Sequence, residues 1–576
     1  MLASRYQWQV ASRAPESLFA SFPAQHPLVV QLLFNRGYTT PENIRGFLQG
    51  EDAQENDPFL LRGMNAAVGR TLDAVRKREV IGVFGDYDTD GIAAAAIMRE
   101  ALEQLGAQVV VRLPHRVTDG YGLSEDSIES LVAQGVRLLI TVDCGISAVA
   151  PVALAAQRGM DVIITDHHQP PDELPAAHAI INPWLPDCEY PFPELCGAGL
   201  AYKLACALLS SVGLVRDAGS PPFSELNAFA ALATVADVVP LRSENRALVT
   251  AGIEALRRTE HAGLSALMQV AGVDPTTITS RSIGFALAPR LNAAGRMAHP
   301  HLAYDLLTTK DHARAQVLAE ELQQLNQLRQ RETKRLMDDA QRQVEPIQQQ
   351  EALLWVEGDD WPAGVIGLIA GRLAEEYGKP ALAVAVGDAE AVGSCRSIPG
   401  YDIADALAAH GELMRRHGGH PQAAGFAVAN ERRAALRDTL QADARLRFEP
   451  AVMRPQLDID CQVSAQKMDL DVLDRINVLA PFGASNPEPR FLSCGLTLGG
   501  MKTVGNGHLR TTLDVGGASV TGIGFHMADR ARGLSQGQTL DVVYSLQENT
   551  WGGFSRLEFV LQDLRAADSD PRSNGE

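Results

Sequence analysis

The sequence predicts an α/β protein of several domains: a parallel-sheet domain, a long helix leading to a smaller α/β domain, and a C-terminal β-barrel of the OB kind. Three observations predict this architecture. Apolar runs alternate with helical stretches from residue 80, residues 311–349 form an amphipathic stretch without glycine, and the chain becomes Thr/Val-rich and alternating from about residue 456. A chain of 576 residues is also too long for one core.

The first α/β region shows a repeating order of strand and helix. "VIGVFGDYDTDG" is followed by the alanine-rich "IAAAAIMREALEQLG", and "AQVVVRLP", "VRLLITVDCG" and "MDVIITDHH" follow with helical segments between them. Strands that alternate with helices of this length indicate βαβ units around a parallel sheet.

The rest of the chain predicts a linking helix and two further modules. Leu318, Leu322, Leu325 and Leu328 recur at helical spacing, with charged residues between them. Next, "EALLWVEG" and "PALAVAVG" read as strands around the helix "GVIGLIAGRLAEEYG". Finally, "HLRTTLDVGGASVTGIGFHM" alternates and carries glycine turns, which is typical of antiparallel β-structure.

These patterns divide the chain into segments. The predicted segments are residues 1–60, packing on the core; 61–310, the first α/β domain; 311–349, the connecting helix; 350–455, the second α/β domain; 456–566, an OB-like β domain; and 567–576, a disordered tail.

Composition excludes some classes of protein. No run approaches the roughly 20 apolar residues of a membrane helix, and the N-terminus lacks the pattern of a secretion signal. The seven cysteines contain no CxxC pair, which favours a reducing, cytoplasmic setting. The net charge of −19 argues against a nucleic-acid partner only weakly, because carboxylates gathered around divalent cations also make a protein acidic.

Acidic residues close several apolar runs. Asp86 and Asp88 follow "VIGVFG", Asp143 follows "LLITV", and "TDHH" at residues 165–168 follows "DVII". A further run, "FAALATVADVVPL", contains Asp237. Ligands of open parallel sheets bind outside the carboxyl ends of the strands, so we expect these groups to converge at one edge.

Such a cluster needs positive charge to stay ionised, and a divalent metal supplies it. Several carboxylates with one or two imidazoles suit two Mn²⁺ or Mg²⁺ ions better than structural zinc. Two such ions about 3.5–4 Å apart can hold a phosphoryl group and activate water. Taken singly, each aspartate is better explained as a loop or N-cap residue, and an isolated His-His pair as structural; their joint occurrence favours the metal site.

The same residues resemble a known superfamily. "GDYDTDG", "VDCG", "TDHH" and "ATVADVVPL" look like the four ordered motifs of the DHH phosphoesterases, and "GSCRSIPGYDI" and "GGHPQAAGF" are similar to the DHHA1 module. "LAPRLNAAGRM" and "LAPFGASNPEPRF" extend the resemblance over nearly the whole chain, to the RecJ family of single-strand-specific exonucleases.

The resemblance implies a set of roles for the acidic edge. Asp166 would orient the imidazole ligand, and His168 would face the phosphate. Asp143 would bridge the two ions. The implied metal ligands are Asp86, Asp88, Asp143, His167 and Asp237. Two positions differ from patterns in the superfamily. Gly82 stands where smaller DHH enzymes have a histidine, and this difference is usual in RecJ proteins. Pro362 stands where RecJ proteins themselves commonly have a histidine.

A phosphate site is expected beside the metals, because charge develops on phosphate oxygens during hydrolysis. Arg396 lies between small residues in "GSCRS", where packing gives little reason for an arginine. A solvated surface charge or an interlobe salt bridge is the alternative for each arginine, and apart from the family it is the better one for Arg116. The other candidates are Ser394, His420, Arg116, Arg290, Asn292, Arg296 and Trp551. Trp551 and Phe554 could stack on bases, although aromatic residues of small β domains are core residues at least as often.

The resemblance implies a function and leaves alternatives. The implied function is metal-dependent degradation of single-stranded DNA from the 5′ end to mononucleotides, in recombination and repair. The first alternative is a DHH phosphoesterase of short oligonucleotides, cyclic dinucleotides or pyrophosphate. The second is a non-catalytic replication component on the same scaffold. We expect a monomer with no membrane association, working with a helicase and a single-strand-binding protein.

Overall fold

The computed structural model describes residues 4–116, 118–120, 122–214, 223–348, 350–447, 456–505, 507–549 and 554–567. The chain forms two compact units, one of residues 1–52 with 451–576 and one of residues 53–450. Within the described residues, no helix combines the length and apolarity needed to cross a membrane.

The N-terminal segment contributes one strand and three short helices. The third helix begins after Thr40, whose hydroxyl accepts a hydrogen bond from Asn43 N, and ends at Gly50 in the left-handed conformation. The elements are β1 (Gln7–Val10), α1 (Glu16–Ala20), α2 (Pro27–Asn35) and α3 (Pro41–Gln49).

The larger unit begins with an α/β domain. Its elements are α4 (Met64–Lys77), β2 (Val80–Phe84), α5 (Thr89–Gln104), β3 (Gln108–Arg112), α6 (Glu125–Ala133), β4 (Val136–Val142), α7 (Val149–Gln157), β5 (Asp161–Thr165), β6 (Ala179–Ile181), α8 (Gly197–Ser211), α9 (Phe223–Ala236), α10 (Ser243–Arg257), α11 (Ala262–Ala271), α12 (Ser280–Ser282), α13 (Ala288–Met297) and α14 (His301–Thr308).

The five strands of this domain form a parallel sheet in the order β3-β2-β4-β5-β6. Both faces are covered by apolar side chains, which explains why the strands read as continuous apolar runs. The chain leaves β2 toward β3 on one side and reaches β4 on the other, so the sheet order reverses between β2 and β4. Ligands of open α/β sheets bind at such a switch point, and Asp86 and Asp143 follow those two strands.

A buried ion-pair network connects residues 55–56, at the start of this unit, with helices α8 and α10. Lys203 of α8 is 1% exposed and contacts the carboxylate of Glu244, which is fully buried. The ammonium group also donates to Asn56 O (3.0 Å) and Glu55 Oε2 (3.3 Å). The second oxygen of Glu244 accepts from Tyr190 Oη at 2.7 Å.

Lys203→Met should lower the free energy of unfolding by about 3–5 kcal/mol, because it leaves the Glu244 carboxylate buried without its cation. Lys310→Met is the matched control, since that side chain is 80% exposed and should cost less than about 1 kcal/mol. Urea denaturation of the two variants measures the difference. Equal losses would show that Glu244 keeps another source of charge compensation.

A long helix leads from the first domain to the second. Helix α15 (His312–Val344) has 33 residues and begins after Asp311, whose carboxylate accepts from Ala313 N and Arg314 N. At 1.5 Å per residue the helix is about 50 Å long. Of the predicted apolar stripe, Leu318 and Leu322 are buried.

The second α/β domain has a mixed sheet. Strands β7 and β8 pair in parallel and the others antiparallel, in the order β10-β11-β9-β8-β7. Helix α16 packs against β8 and β9. The elements are β7 (Leu354–Gly358), α16 (Ala363–Tyr377), β8 (Ala381–Val386), β9 (Glu390–Arg396), α17 (Ile403–Ala409), β10 (Arg416–His420), β11 (Ala423–Ala429) and α18 (Arg433–Arg447).

The other unit contains the C-terminal β domain. Five strands follow the order β14-β15-β16-β18-β17, and pairing of β14 with β17 closes them into a barrel. The elements are β12 (Gln456–Ile459), β13 (Cys461–Gln462), α19 (Leu470–Ile476), β14 (Phe491–Val504), β15 (His508–Asp514), β16 (Ser519–Gly524), β17 (Thr539–Asn549) and β18 (Arg556–Ala566). The predicted fold class is therefore confirmed.

Residues 4–52 pack on this β domain. Strand β1 pairs in parallel with β12, and apolar residues of α2 and α3 share a core with the barrel strands. Asn35 donates to Asp460 O at 2.8 Å and Arg36 Nε to Asn486 Oδ1 at 2.7 Å. The sequence predicts only that residues 1–60 pack on a core, and for residues 4–52 the structure identifies it as that of the β domain.

Candidate metal centre

The first acidic motif turns tightly from β2 into α5. Asp88 is the N-cap of α5, and its Oδ1 accepts from Asp90 N (3.0 Å) and Gly91 N (3.3 Å). A Cβ on Gly91 would lie 2.4 Å from Asp86 N, so only glycine lets the helix pass this close to the strand end. The motif thereby brings Asp86 and Asp88 to the carboxyl edge of the sheet.

Asp143 is held in an unusual backbone conformation directly after β4. Its φ is +61°, a left-handed value that aspartate tolerates better than most residues, and its N–H donates to Thr165 O at 3.0 Å. The residue is 3% exposed. The turn therefore points a buried carboxylate back over the sheet edge.

His167 and Asp237 complete the cluster from β5 and α9. His167 Nε2 lies 3.1 Å from Asp143 Oδ1 and 3.8 Å from Asp237 Oδ2. Asp237 follows the last turn of α9, and its N–H donates to Ala233 O at 2.8 Å. The apolar run that carries Asp237 is thus a helix, and its C-terminal end meets the edge of the sheet.

The ligand atoms converge closely enough for metal coordination. Within each of three overlapping sets of described residues, one ligand atom per residue lies within 4.8 Å of the others. The sets are Asp86, Asp88 and Asp143; Asp143, His167 and His168; and Asp90, His167 and Asp237.

The electrostatics of the cluster require added positive charge. Burial, with the neighbouring Asp88, raises the pKa of Asp86 well above its usual value, and burial with Asp90 does the same for Asp143. Burial and the charges of Asp90 and Asp88 raise the pKa of Asp237 to about 9. Asp86 Oδ1 and Asp143 Oδ1 are buried and accept no hydrogen bond from any described residue. These oxygens fit divalent cations, which would let the carboxylates ionise together.

His167 has the protonation preference of a metal ligand. Burial lowers the pKa of its imidazole, which favours the neutral form that coordinates metals. Its neighbour behaves differently: burial alone would lower the pKa of His168, but the hydrogen bond to Asp166 raises it to about 9.

Asp166 contacts a different histidine from the one expected. Its Oδ1 accepts from His168 Nδ1 at 2.7 Å and from His168 N at 3.1 Å, and its Oδ2 accepts from Ile146 N at 2.9 Å. The expectation that Asp166 orients His167 is therefore corrected: an Asx-type turn directs the carboxylate two residues onward, to His168.

The structure adds Asp90, which the sequence interpretation missed. Its two carboxylate oxygens accept from Gly197 N and Ala198 N, both at 2.7 Å, and its Oδ2 lies 3.8 Å from His167 Nε2. Asp90 therefore joins the start of α8 to the acidic cluster. Asp90 is the third aspartate of "GDYDTDG", so the sequence does contain it. The direction of its side chain, however, depends on the residue at which α5 begins, and the motif alone does not give that residue.

Three of the predicted arginines lie together beside the acidic cluster. Arg116 stacks on the ring of Tyr87 at 4.1 Å, and its buried Nε has no hydrogen-bond acceptor among the described residues. Burial and the charge of Arg116 lower the pKa of Arg296 to about 10. The pKa of Arg396 is lowered by burial and by the same arginine. Mutually repelling, partly buried cations of this kind indicate an anion site.

Glycines of α16 allow this arrangement. A Cβ on Gly364 would lie 2.1 Å from Arg296 O, and one on Gly367 would lie 3.0 Å from Ser394 Oγ. Arg296 Nη1 donates to Gly364 O at 3.2 Å. The "GVIG" sequence thus lets the two α/β domains approach closely enough to bring Ser394 beside the arginines.

The remaining candidates have varied surroundings. The ring of His420 is stacked on that of His168, with 6.3 Å between ring centroids and an angle of 13°. Asn292 Oδ1 accepts from Thr89 N at 2.9 Å, which ties α13 to the first acidic motif. Arg290 donates to Gln323 Oε1 (2.7 Å) and Ala286 O (2.6 Å). Trp551 lies outside the described residues, and Phe554 is 72% exposed.

Comparison with protein families matches three domains in order. The DHH family, N-terminal domain matches residues 80–234, the DHHA1 domain residues 349–445 and the RecJ OB domain residues 459–563. Among solved structures, RecJ of Thermus thermophilus in complex with Mn²⁺ is 29% identical with a TM-score of 0.83, covering 98% of this chain and 80% of that one. The Mg²⁺ complex from the same organism has a TM-score of 0.76 and 28% identity, covering 98% and 79% of the two chains.

Curated relatives match over most of their length. The single-stranded-DNA-specific exonuclease RecJ of Bacillus subtilis is 35% identical over 99% of this chain and 72% of the relative. That of Escherichia coli is 33% identical over 95% of this chain and 97% of the relative. With this identity and the three domains in this order, the chain belongs to the RecJ family.

Proposed function

We propose that this protein is an Mn²⁺- or Mg²⁺-dependent exonuclease that hydrolyses single-stranded DNA from its 5′ end and releases mononucleotides. The observation that carries this function is the meeting of an acidic cluster with three partly buried arginines in one region of the larger unit. Acids can hold cations and arginines can hold a phosphate, so together they hold a phosphodiester for hydrolysis. The B. subtilis and E. coli relatives are single-stranded-DNA-specific exonucleases.

Asp143 belongs to two of the ligand sets. It shares one with Asp86 and Asp88 and another with His167 and His168, and His167 in turn shares a set with Asp237, so Asp143 would bridge two ion positions. Two divalent ions held there would activate water and offset the negative charge that develops on the phosphoryl oxygens. Asp90 anchors α8 and helps to orient His167.

His168 and Asp166 act on the substrate side. Asp166 fixes the orientation of the ring by accepting from Nδ1, and it favours the protonated imidazole. The protonated ring would donate to a phosphate oxygen as negative charge develops on that oxygen. His420, stacked on His168, supports the same phosphate.

Arg116, Arg296, Arg396 and Ser394 form the site for the terminal phosphate. Stacking on Tyr87 keeps Arg116 in place, and since no described residue pairs a carboxylate with it, its donors can serve the substrate. A pocket that accepts a phosphate at a chain end gives exonuclease rather than endonuclease cleavage. Arg290, Asn292 and Trp551 are proposed to contact the strand beyond this pocket.

The β domain gives the enzyme its preference for single strands. Barrels of the OB kind bind single-stranded nucleic acid through stacking and backbone contacts, and Phe554 offers an exposed ring for stacking. A phosphoesterase that hydrolyses only pyrophosphate or a dinucleotide would not need a domain that binds single strands. The acidic residues that the resemblance implies as ligands are all present in the sequence, which favours an enzyme over a non-catalytic component.

Wild-type enzyme with Mn²⁺ should degrade single-stranded DNA at least tenfold faster than blunt duplex DNA. The assay offers 5′-labelled single-stranded DNA, duplex DNA, RNA, a dinucleotide and pyrophosphate side by side. Early release of the labelled mononucleotide confirms the 5′→3′ direction. Preference for pyrophosphate or the dinucleotide would indicate a small-substrate phosphoesterase, and inactivity on all five a non-catalytic component.

A cellular setting follows from this activity. Single strands arise where duplex DNA is unwound, so a helicase would supply the substrate and a single-strand-binding protein would compete for it. We propose action in recombination and repair, in the cytoplasm and as a monomer; the seven free cysteines agree with a reducing compartment.

A further inference from the structure

The arginine cluster extends beyond the residues that one terminal phosphate needs. Helices α13, α15 and α16 pack against one another and carry Arg296, Arg329 and Arg372, with Arg329 close enough to each of the other two for their charges to interact. The charges of Arg116, Arg329 and Arg396 all lower the pKa of Arg296, and that of Arg372 lowers the pKa of Arg329. Positive charge therefore continues from Arg296 toward Arg372.

Arg329 is fixed in place by the protein but is not neutralised. Its Nε and Nη2 donate to Asn326 Oδ1 at 3.1 and 2.8 Å, and Asn326 is only 2% exposed. This contact uses one edge of the guanidinium and leaves Nη1 for another acceptor. Among the described residues, neither Arg329 nor Arg372 forms an ion pair.

Most other arginines on the same helix as Arg329 have a carboxylate partner. Arg314 pairs with Asp305, Arg335 with Glu332 and Asp360, and Arg342 with Asp339, whereas the exposed Arg331 has none among the described residues. The chain has 70 acidic residues against 51 basic ones, so carboxylate partners are abundant. Two neighbouring arginines without an acid among the described residues can together bind an anionic ligand, and such a ligand would offset the charge of the partly buried Arg329 in particular.

We propose that Arg329 and Arg372 form a second phosphate subsite next to Arg296, which binds a further phosphate group of the nucleic-acid strand. A terminal phosphate has three free oxygens, and Arg116, Arg296 and Arg396 are enough to serve them. The inference rests on the proposed function. The further phosphate is either an internucleotide phosphate of a longer strand or the outer phosphate of a 5′-triphosphate end, and both present the same oxygens to arginine.

Three substrates distinguish an internucleotide phosphate from the outer phosphate of a 5′-triphosphate end. The dinucleotide pTpT carries a terminal phosphate and one scissile linkage and has no further phosphate for the subsite. A 5′-phosphorylated dT12 adds internucleotide phosphates, and pppTpT adds phosphates at the 5′ end. Wild-type enzyme is measured first, because its failure to digest dT12 would overturn the proposed function itself, separately from this subsite.

Arg329→Gln and Arg372→Gln should each raise KM about tenfold on dT12 or on pppTpT, with kcat within twofold and KM for pTpT unchanged. Tenfold is the loss expected when one charge-assisted hydrogen bond to phosphate is removed. The substrate that shows the effect identifies the source of the phosphate. Arg335→Gln on the same helix as Arg329 is the control, since its partners are Glu332 and Asp360.

Two results would overturn the subsite. KM that stays unchanged on all three substrates in both variants would show that the arginine pair does not bind the strand. An equal rise of KM on all three, pTpT included, would show that the arginines only support the terminal-phosphate site. Thermal unfolding of each variant checks that the fold is retained, and the exposed Arg372 gives a test that does not depend on the packing of Arg329.

Discussion

Asp143→Asn should reduce hydrolysis of single-stranded DNA by about a thousandfold or more while the strand still binds. The substitution keeps the shape of the side chain but removes the charge of the residue shared by both halves of the acidic cluster. If Asp143 bridges two ions as proposed, its loss weakens both ion positions at once, so the effect should exceed that of losing an outer ligand. Single-turnover rates with saturating Mn²⁺ measure it.

A second readout separates metal binding from catalysis. A ligand that binds only the folded protein raises its unfolding temperature, so Mn²⁺ should stabilise the wild type and stabilise Asp143→Asn much less. The matched control is Asp172→Asn, an exposed aspartate six residues after Asp166, which should keep both the rate and the Mn²⁺ response. Normal activity in Asp143→Asn would contradict the bridging role.

The acidic edge could be predicted because it follows from the topology of parallel sheets. Carboxyl ends of neighbouring parallel strands meet, so acids placed directly after "VIGVFG", "LLITV" and "DVIIT" must lie near one another. No long-range information beyond the sheet order is needed. The composition of the cluster then indicates divalent metals on chemical grounds.

The partners of individual side chains could not be predicted in the same way. Asp166, His167 and His168 are consecutive, and either imidazole is a reasonable partner for the carboxylate. The turn decides, because Asp166 Oδ1 accepts both the backbone N–H and the ring N–H of His168. Asn292 likewise has a partner that the sequence does not predict, because its side-chain oxygen accepts from Thr89 N.

The packing of the N-terminal segment shows a further limit. Strand β1 pairs with β12, with Trp8 opposite Leu457, at a separation of more than four hundred residues. Short mixed segments carry an amphipathic pattern but no signal for which core they cover. Only the complementary apolar face of the barrel identifies the partner.

Gly197→Ala should lower the rate about a hundredfold, although the glycine itself touches no substrate. Gly197 begins α8, and a Cβ at this position would lie 2.4 Å from the Cβ of Asp143. Because Asp90 holds the Gly197 N–H at 2.7 Å, the helix start cannot simply move away. Asp143 must shift instead, and a misplacement of about 1 Å costs about a hundredfold in rate.

Gly199→Ala is the matched control for this prediction. It lies two residues along the same helix, and the closest contact of its Cβ would be Leu195 at 3.4 Å, an ordinary van der Waals distance. Replacing a helical glycine by alanine there should leave the rate unchanged and not lower the unfolding temperature. If Gly197→Ala kept full activity with a normal Mn²⁺ response, Asp143 would tolerate displacement. If it lost activity but kept the response, the ions would still bind, and the loss would come from the placement of the phosphodiester relative to them.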